Sequence, residues 1–223
     1  MPTARSYGEA CGIPRALDRV GERWALMVVR ELLLGPKRFT DLKTGLPGAS
    51  PNVLAQRLRE LEGAGVVRRR TIPPPAASRV YELTEWGREL EPVLTALGRW
   101  GARAPAPPEE HGMSLDAHIL SLKTLFDPEL AGEFSTSLEL RLGEHHFRTT
   151  VAEGRLEIAP GAAPSPEAIV KTDAGTLLAL AHRRRELADA LSTGEIEIDG
   201  DRRAVERFLQ LFPLPEPAEP SAA

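Results

Sequence analysis

Apolar residues recur at intervals of three and four through the start of the chain. Between residues 13 and 35 this spacing continues on both sides of Gly21, which predicts two amphipathic helices divided near that glycine. Gly35 suits a helix C-cap and Pro36 cannot continue the backbone hydrogen bonds, so the second helix is expected to end there. A short helix is expected to follow from about Thr40 through Leu42.

The strongest helix signal lies in "SPNVLAQRLRELEGAG", residues 50–65. Ser50 is an efficient N-cap, and Pro51 occupies the first helical position, where its missing N–H does no harm. Leu54, Leu58 and Leu61 fall within about 60° of one another on a helical wheel, which predicts a buried stripe. The side opposite the stripe is polar and carries Asn52, Gln56 and Arg59.

Alternation then replaces the helical period. "VVRRRTI" and "SRVYELT" predict two strands joined by the proline-rich tip "PPPAA", which together form a basic hairpin. The next segment, "TEWGRELEPVLTALGRWGAR", predicts one helix with Thr84 as its cap. Its apolar side is long for a helix that serves one small core, and it includes Trp86, Leu90, Val93, Leu94, Leu97 and Trp100.

The segment "APAPPEEHG" has neither periodicity nor apolar content, and its prolines favour an extended spacer. We therefore predict four regions, namely a first domain at 1–103, a linker at 104–112, a second domain at 113–214 and a disordered tail at 215–223. In the second domain the pattern predicts a helix, three antiparallel strands, a further strand, a helix, a short strand and a closing helix capped by Asp201. The fold class is α+β. An N-terminal helical domain is followed by a C-terminal antiparallel sheet with helices.

Charge separates the two halves. Residues 1–103 hold 17 Lys and Arg against 11 Asp and Glu, whereas residues 104–223 hold 11 against 21. A basic half implies a polyanionic partner, because clustered cations concentrate phosphate nearby. The single cysteine, Cys11, excludes an intramolecular disulfide and fits a reducing compartment, so we expect a cytoplasmic protein. The chain lacks a continuous apolar run of membrane-spanning length, and no membrane partner is expected.

Three helices followed by a two-stranded hairpin give the order of a winged helix-turn-helix, whose last helix enters the major groove of DNA. Asn and Gln can bind adenine edges and Arg can bind guanine, so we expect Asn52, Gln56 and Arg57 to read bases. Arg59 and the hairpin arginines are expected at phosphates. The alternative is a polar helix face that only contacts water. The predicted DNA-binding set is Lys37, Arg38, Thr40, Lys43, Ser50, Asn52, Val53, Gln56, Arg57, Arg59, Arg69, Arg70 and Arg79, with Arg68 beside it.

Residues 11–101 resemble the HxlR-type winged-helix transcription regulators. The motifs that carry this resemblance are "GERWALMVVRELLLGPKRFTDL", "SPNVLAQRLRELEGAGVV" and "YELTEWGREL". The resemblance implies a dimeric DNA-binding repressor or activator whose first and last helices supply the dimer contact. A twofold dimer would place two recognition helices ~34 Å apart on an inverted repeat of double-stranded DNA. The dimer residues implied here are Leu17, Trp86, Leu90, Leu97 and Trp100.

Two further features bear on this resemblance, namely Cys11 and the proline-rich wing tip. Cys11 sits where some members of the family carry a thiol that senses electrophiles or oxidants. The alternative, which we favour, is a small buried residue without a redox role. The wing tip has three consecutive prolines where the family commonly has a shorter and more polar turn, so the wing departs from the family pattern at its tip.

The second domain resembles the sterol carrier protein type 2-like domains through "IVKTDAGTLLAL", "ELADALSTGEIEIDGD" and "AVERFLQLF". This resemblance implies a tunnel for an apolar small molecule between sheet and helices. The same residues are equally expected in an ordinary core. The pocket residues implied here are Leu115, Ile119, Leu122, Phe126, Phe134, Phe147, Leu177, Leu178, Leu187, Leu191, Phe208 and Phe212.

No chemistry-bearing motif points to an enzyme. Adjacent His145 and His146 face opposite sides of a predicted strand, and the acidic residues of "EIEIDGD" read as its solvent side, so neither a metal nor a cofactor is expected. We therefore predict a homodimeric DNA-binding regulator whose second domain senses a hydrophobic ligand. The alternative function is a carrier of lipids or other hydrophobic small molecules whose helical domain serves dimerisation, and a second domain with only a structural role is a further alternative.

Overall fold

The computed structural model describes residues 6–73, 78–105 and 112–218. It divides the chain into two compact units, Met1–Leu94 and Thr95–Ala223. Parts of three predicted features lie outside the described residues, namely the wing tip at 74–77, the linker at 106–111 and the tail at 219–223.

The first unit opens with four helices, α1 (Gly12–Val20), α2 (Ala25–Leu32), α3 (Phe39–Gly45) and α4 (Pro51–Gly63). The break between α1 and α2 confirms the division predicted near Gly21. Helix α2 ends at Leu32, earlier than the predicted end at Gly35. The predicted start of α4 is confirmed, because the Ser50 hydroxyl accepts a hydrogen bond from the Val53 N–H at 3.3 Å.

A two-stranded antiparallel sheet follows, with β1 (Val67–Ile72) paired to β2 (Ser78–Leu83). The predicted basic hairpin is thereby confirmed. The backbone of Lys37 joins its edge, since the Lys37 N–H donates to the Tyr81 carbonyl at 2.9 Å and the Tyr81 N–H donates back at 2.8 Å. The segment before α3 is therefore tied directly to the wing.

The helix predicted after the hairpin is two helices, α5 (Glu85–Arg88) and α6 (Glu91–Gly101). Thr84 is the cap of the first, as predicted, and accepts from the Gly87 N–H at 3.0 Å. Pro92 explains the break, because it has no N–H to donate to the Arg88 carbonyl four residues earlier and its ring would clash with that carbonyl, whereas proline is tolerated in the first turn of a new helix. The two compact units divide between Leu94 and Thr95, inside α6, whereas the predicted first domain extends to residue 103.

The second unit contains a five-stranded sheet in the order β5-β4-β3-β6-β7. The β3–β4–β5 meander is antiparallel, as predicted, but β6 runs parallel to β3, so the sheet is mixed rather than purely antiparallel. The elements after α6 are α7 (Leu115–Leu125), α8 (Pro128–Ala131), β3 (Thr136–Leu142), β4 (His145–Ala152), β5 (Arg155–Pro160), β6 (Ala168–Thr172), α9 (Ala174–Ala181), α10 (Leu187–Ser192), β7 (Glu197–Gly200) and α11 (Arg202–Leu209).

Two helices, α9 and α10, replace the single helix predicted over this stretch. The chain turns between them at Arg183, whose φ of 55° lies in the left-handed region. Asp201 caps α11 as predicted, accepting from the Arg203 N–H at 2.8 Å. The first residues of the predicted tail contact the unit, since the Ala218 N–H donates to the Arg103 carbonyl at 2.8 Å.

Candidate nucleic-acid interface

Helix α4 presents the face that the sequence predicted. Leu54, Leu58 and Leu61 are at most 1% exposed and pack into the core of the first unit. The opposite side is open to solvent and carries Asn52, Val53, Gln56 and Arg59. The polar side chains of this face can therefore reach a partner that α4 approaches, and amides and a guanidinium are the groups that bind base edges and phosphates.

Arg57 is not part of the exposed face, which corrects its assignment as a base-reading residue. It is buried, with 9% of its surface exposed, because it lies beside Leu61 on the helix. Its Nη1 forms an ion pair with Glu60 and lies 3.5 Å from the Glu22 carboxylate. These contacts are ionic and lack hydrogen-bond alignment, so the guanidinium is committed to carboxylates of its own unit.

Gln56 is exposed but already has a partner on its own helix. Its Nε2 donates to Glu60 Oε1 at 2.9 Å. Glu60 thus contacts Gln56 through one oxygen and Arg57 through the other. The sequence pattern did not reveal this arrangement, although the i and i+4 spacing of Gln and Glu is compatible with it.

The residues before α4 divide into exposed and committed side chains. Arg38 and Thr40 are exposed at the start of α3. Lys43 donates from Nζ to the Pro47 carbonyl at 3.1 Å and so holds the turn between α3 and α4. The Ser50 hydroxyl is occupied as the α4 cap. Arg38 and Thr40 therefore remain the more accessible members of this group.

The arginines of β1 alternate between the two faces of the wing. Arg68 and Arg70 both pair with the buried carboxylate of Glu82, at 2.7 Å and 3.0 Å. On the other face Arg69 pairs with Glu62 at 3.0 Å and lies over the Tyr81 ring at 5.5 Å. Glu82 was not singled out in the sequence, yet it fixes two cations on one face and leaves them largely exposed. Arg79 on β2 is also exposed.

An apolar surface lies on the helices at both ends of the first unit. Trp86, which is 52% exposed, borders a groove of about 190 Å³ that is also lined by Ala16, Val20 and Leu90. Leu17 on α1 is also exposed. The predicted dimer residues Leu97 and Trp100, on later turns of α6, are exposed as well but belong to the second unit. Two more large apolar residues of these helices are exposed, Ile13, which sequence reasoning missed, and Val93, which it placed on the apolar side of its helix but not among the dimer residues.

Cys11 immediately precedes α1 and is exposed. It is therefore not the small buried residue that the sequence analysis favoured. Its accessibility leaves the thiol open to reagents from solvent.

In the second unit most of the predicted pocket residues form the core. Ile119, Leu122, Phe126, Phe147, Leu177, Leu178, Phe208 and Phe212 are buried, while Leu115, Phe134, Leu187 and Leu191 are partly exposed. The Phe212 ring packs against Phe208 at 5.0 Å and Phe126 at 6.1 Å, which fills the centre of this set with side chains.

A more open space lies beside this core. It measures about 540 Å³, with Leu180, Leu187 and Leu209 on its apolar side and Arg183, Arg185 and Arg202 among its polar lining. Leu187 is the member of the predicted set that lines it. Arg185 and Arg202 are paired to Glu195 and Glu206 at 2.9 Å and 2.8 Å. Glu186 and Glu206 also line it, so the space combines apolar contacts with charged groups of both signs, in which three arginines face two carboxylates.

Metal-binding clusters and membrane-spanning helices are both absent from the described part of the chain. Among residues 6–73, 78–105 and 112–218, no group of three or more His, Cys, Asp or Glu side chains is placed to hold a metal ion. No helix in the described part of the chain has the length and apolar character needed to cross a membrane.

Two family descriptions match the chain. Residues 19–108 match the HxlR-like helix-turn-helix family, and residues 112–218 match the alkyl sulfatase C-terminal family. The second match gives the alkyl sulfatase C-terminal family as one to which residues 112–218 are similar, and the sterol carrier resemblance stays a prediction. The two matched segments are separated by residues 109–111, within the predicted linker.

Two bacterial relatives resemble the first segment. The chain is 40% identical over 86 residues to the uncharacterized HTH-type transcriptional regulator YvaP of Bacillus subtilis (strain 168), covering 39% of this chain and 80% of the relative. It is 38% identical over 95 residues to the uncharacterized HTH-type transcriptional regulator sll1512 of Synechocystis sp. (strain ATCC 27184 / PCC 6803 / Kazusa), covering 43% and 70%.

A solved structure, the stereoselective inverting sec-alkylsulfatase Pisa1 from Pseudomonas sp., is also similar. The similarity has 22% identity and a TM-score of 0.43 and covers 45% of this chain. The chain spans only 16% of the length of that alkylsulfatase.

Proposed function

Because the chain belongs to the HxlR-like helix-turn-helix family of DNA-binding transcription regulators, we propose that it acts as a homodimer on an inverted repeat and that its second unit senses an apolar small molecule. Family membership rests on the relatives above, most of whose length this chain covers.

The uncovered apolar surface of the first unit is the observation that supports a dimer. Ile13, Trp86 and Val93 are 71%, 52% and 52% exposed, although each lies on a helix that also buries residues. Contiguous exposed apolar patches in soluble proteins usually mark an interaction site. A second copy of this chain would cover the same surface on both protomers, as a twofold interface requires.

On DNA, the exposed side of α4 would lie in the major groove, with Asn52 and Gln56 at base edges. Arg59 and the wing residues Arg69, Arg70 and Arg79 would neutralise phosphates. Twofold symmetry would then place the two copies of α4 ~34 Å apart, on half-sites of an inverted repeat. Exchanging Asn52 or Gln56 for Ala should lower affinity for the cognate site, whereas wing variants should weaken all sequences alike.

The experiment compares Trp86→Ser with Leu130→Ser, a substitution of an exposed leucine on α8 of the second unit. We expect the wild-type protein to sediment as a dimer and to bind an inverted repeat more tightly than a single half-site. Trp86→Ser should shift the population to monomer and reduce that advantage, while Leu130→Ser should change neither. A wild-type monomer at micromolar concentration would contradict the proposed dimer.

The second unit is proposed to bind an apolar molecule that carries an anionic group, in the space beside Leu187. The argument is chemical, since apolar side chains and arginines line that space together. A ligand that prefers one state of the dimer would shift DNA affinity by its differential binding energy, typically about 1–3 kcal/mol.

Laurate, a twelve-carbon carboxylate, is a suitable probe below its micellar concentration. We expect it to bind the full-length protein and to change affinity for the inverted repeat, and Leu187→Glu should weaken both effects. Leu130→Glu adds the same charge elsewhere in the unit and serves as the control. If DNA binding is absent at low salt while laurate still binds, the carrier function becomes the better hypothesis.

A further inference from the structure

The amide of Gln56 has a defined orientation before any DNA is present. Its Nε2 lies 2.9 Å from Glu60 Oε1. An ionised carboxylate accepts hydrogen bonds and cannot donate them, so the NH2 group of the amide must face Glu60. The carbonyl oxygen Oε1 of Gln56 then faces away from Glu60 as a free acceptor, accompanied by the second N–H of the amide.

Glu60 is itself held in place, which distinguishes this contact from an ordinary surface pair. Its second oxygen forms an ion pair with Arg57, whose side chain is 11% exposed. Arg57 is fixed in turn by burial and by Glu22, 3.5 Å away. A hydrogen bond between two mobile surface side chains would be weak. Here Glu60 is anchored by the buried Arg57 guanidinium, so contacts within α4 set the orientation of the Gln56 amide.

We propose that Glu60 is a positioning residue that presets Gln56 to recognise adenine in the major groove. The proposal rests on the proposed function, in which α4 is the recognition helix. Adenine offers its N6 amino group as a donor and N7 as an acceptor at the groove edge. In the preset orientation Oε1 accepts from N6, and the second N–H donates to N7.

The same orientation works against guanine and thymine, whereas cytosine offers its N4 donor to Oε1 but has no N7 acceptor for the second N–H. Guanine presents two acceptors, O6 and N7, so Oε1 would meet another oxygen. Thymine presents its O4 acceptor and a methyl group in the same region. A glutamine that could turn its amide freely would adapt to either base by exposing its NH2 group. Glu60 therefore contributes specificity by preventing that turn, without contacting DNA.

Glu60→Gln tests the proposal, because a neutral amide can donate or accept and no longer dictates which end of Gln56 faces outward. Glu62→Gln is the matched control. It removes the same charge from the same helix, but Glu62 pairs with Arg69 of the wing. Melting curves of both variants establish that they are folded before DNA binding is compared.

The experiment begins with full-length wild-type protein, which selects its preferred duplex from a random pool. The base pair contacted by Gln56 is the position at which Gln56→Ala loses discrimination. We expect adenine there, preferred over guanine by about 5- to 150-fold, the range of a bidentate contact. Glu60→Gln should lower that ratio several-fold, and Glu62→Gln should leave it unchanged. The Gln56→Ala/Glu60→Gln double variant should match Gln56→Ala, because Glu60 acts through Gln56.

Three results would overturn the inference: guanine, thymine or cytosine at the Gln56-dependent position, an unchanged ratio in Glu60→Gln, or a further change when Glu60→Gln is added to Gln56→Ala. Each of these leaves DNA recognition by α4 intact. Failure of the wild-type protein to prefer any duplex at low salt would instead contradict the proposed function itself.

Discussion

His182, at the C-terminal end of α9, is a titratable side chain whose environment differs from solvent. Burial, together with the nearby charge of Arg184, lowers the pKa of His182 to about 4. The folded protein therefore keeps this imidazole neutral between pH 6.5 and about 4, while the unfolded chain protonates it. Because the unfolded state binds the additional proton, this residue makes stability fall as the pH decreases through that window.

His182→Gln should remove this contribution. We expect the urea midpoint of the variant to fall less than that of the wild type between pH 7 and pH 5, since glutamine has no proton to gain. His145→Gln, at an exposed position of β4, should retain the wild-type pH dependence. Equal pH dependence in all three proteins would show that the burial of His182 does not influence folding.

Individual side chains are also where sequence reasoning failed most clearly. The exposed position of Asn52 follows from its distance to the leucine stripe on the helical wheel, and it was predicted. Arg57 was misassigned because it borders the leucine stripe and is buried there, where Glu60 on the same helix pairs with it and Glu22, outside the recognition helix, lies 3.5 Å away. A helical wheel shows that Arg57 borders the stripe. It does not show that the Glu22 carboxylate, from another part of the chain, lies close enough to help compensate the buried charge.

At the scale of elements, Ser50 caps α4 and also belongs to the predicted DNA-binding set, so its variants can affect both folding stability and DNA affinity. Ser50→Ala removes the hydrogen bond to the Val53 N–H and should cost about 1 kcal/mol of unfolding free energy. Ser50→Asp should preserve that free energy, because aspartate is as good a cap and complements the helix dipole.

For DNA affinity the two variants should rank in the order opposite to their order of stability. The new carboxylate of Ser50→Asp would lie among phosphates if the N-terminus of α4 faces the duplex, so its affinity should fall below that of Ser50→Ala. Denaturant titration and fluorescence anisotropy measure the two quantities. Wild-type DNA affinity in Ser50→Asp would place the start of α4 away from the backbone of DNA.

Element boundaries were predictable where their signals are local. The start of α4 follows from Ser50 and Pro51, and the hairpin follows from alternation on either side of its proline-rich tip. The pairing of β6 with β3 was not predictable in the same way, because parallel strands need a long connection, here through β4 and β5, and the local pattern of β6 does not indicate which strand it joins. The same holds for the turn at Arg183, whose left-handed backbone carries no local glycine signal.

At the scale of the whole molecule, the proline-rich segment was taken as the place where one unit gives way to the other. The two family matches also divide there, at residues 109–111, whereas the compact units divide inside α6, after Leu94. Composition could not reveal this, since the C-terminal half of α6 joins the second unit through Arg99. Its Nε donates to the Thr124 carbonyl at 3.1 Å and its Nη2 donates to the Phe126 carbonyl at 2.8 Å.

Arg99 thus satisfies carbonyls at the C-terminal end of α7, which have no partners within their own helix. Arg99→Ala should destabilise the second unit by about 1 kcal/mol, since the arginine is partly solvated and two charge-assisted hydrogen bonds are lost. Arg99→Lys should recover only part of this, because a single ammonium cannot span both carbonyls as a planar guanidinium does. Hydrogen exchange should accelerate at α7 amides in Arg99→Ala and stay unchanged at α2.

Arg88→Ala, at an exposed arginine of α5, is the control. Equal acceleration in Arg88→Ala would mean that the loss of a cation, rather than the anchoring of α6 to α7, explains the effect.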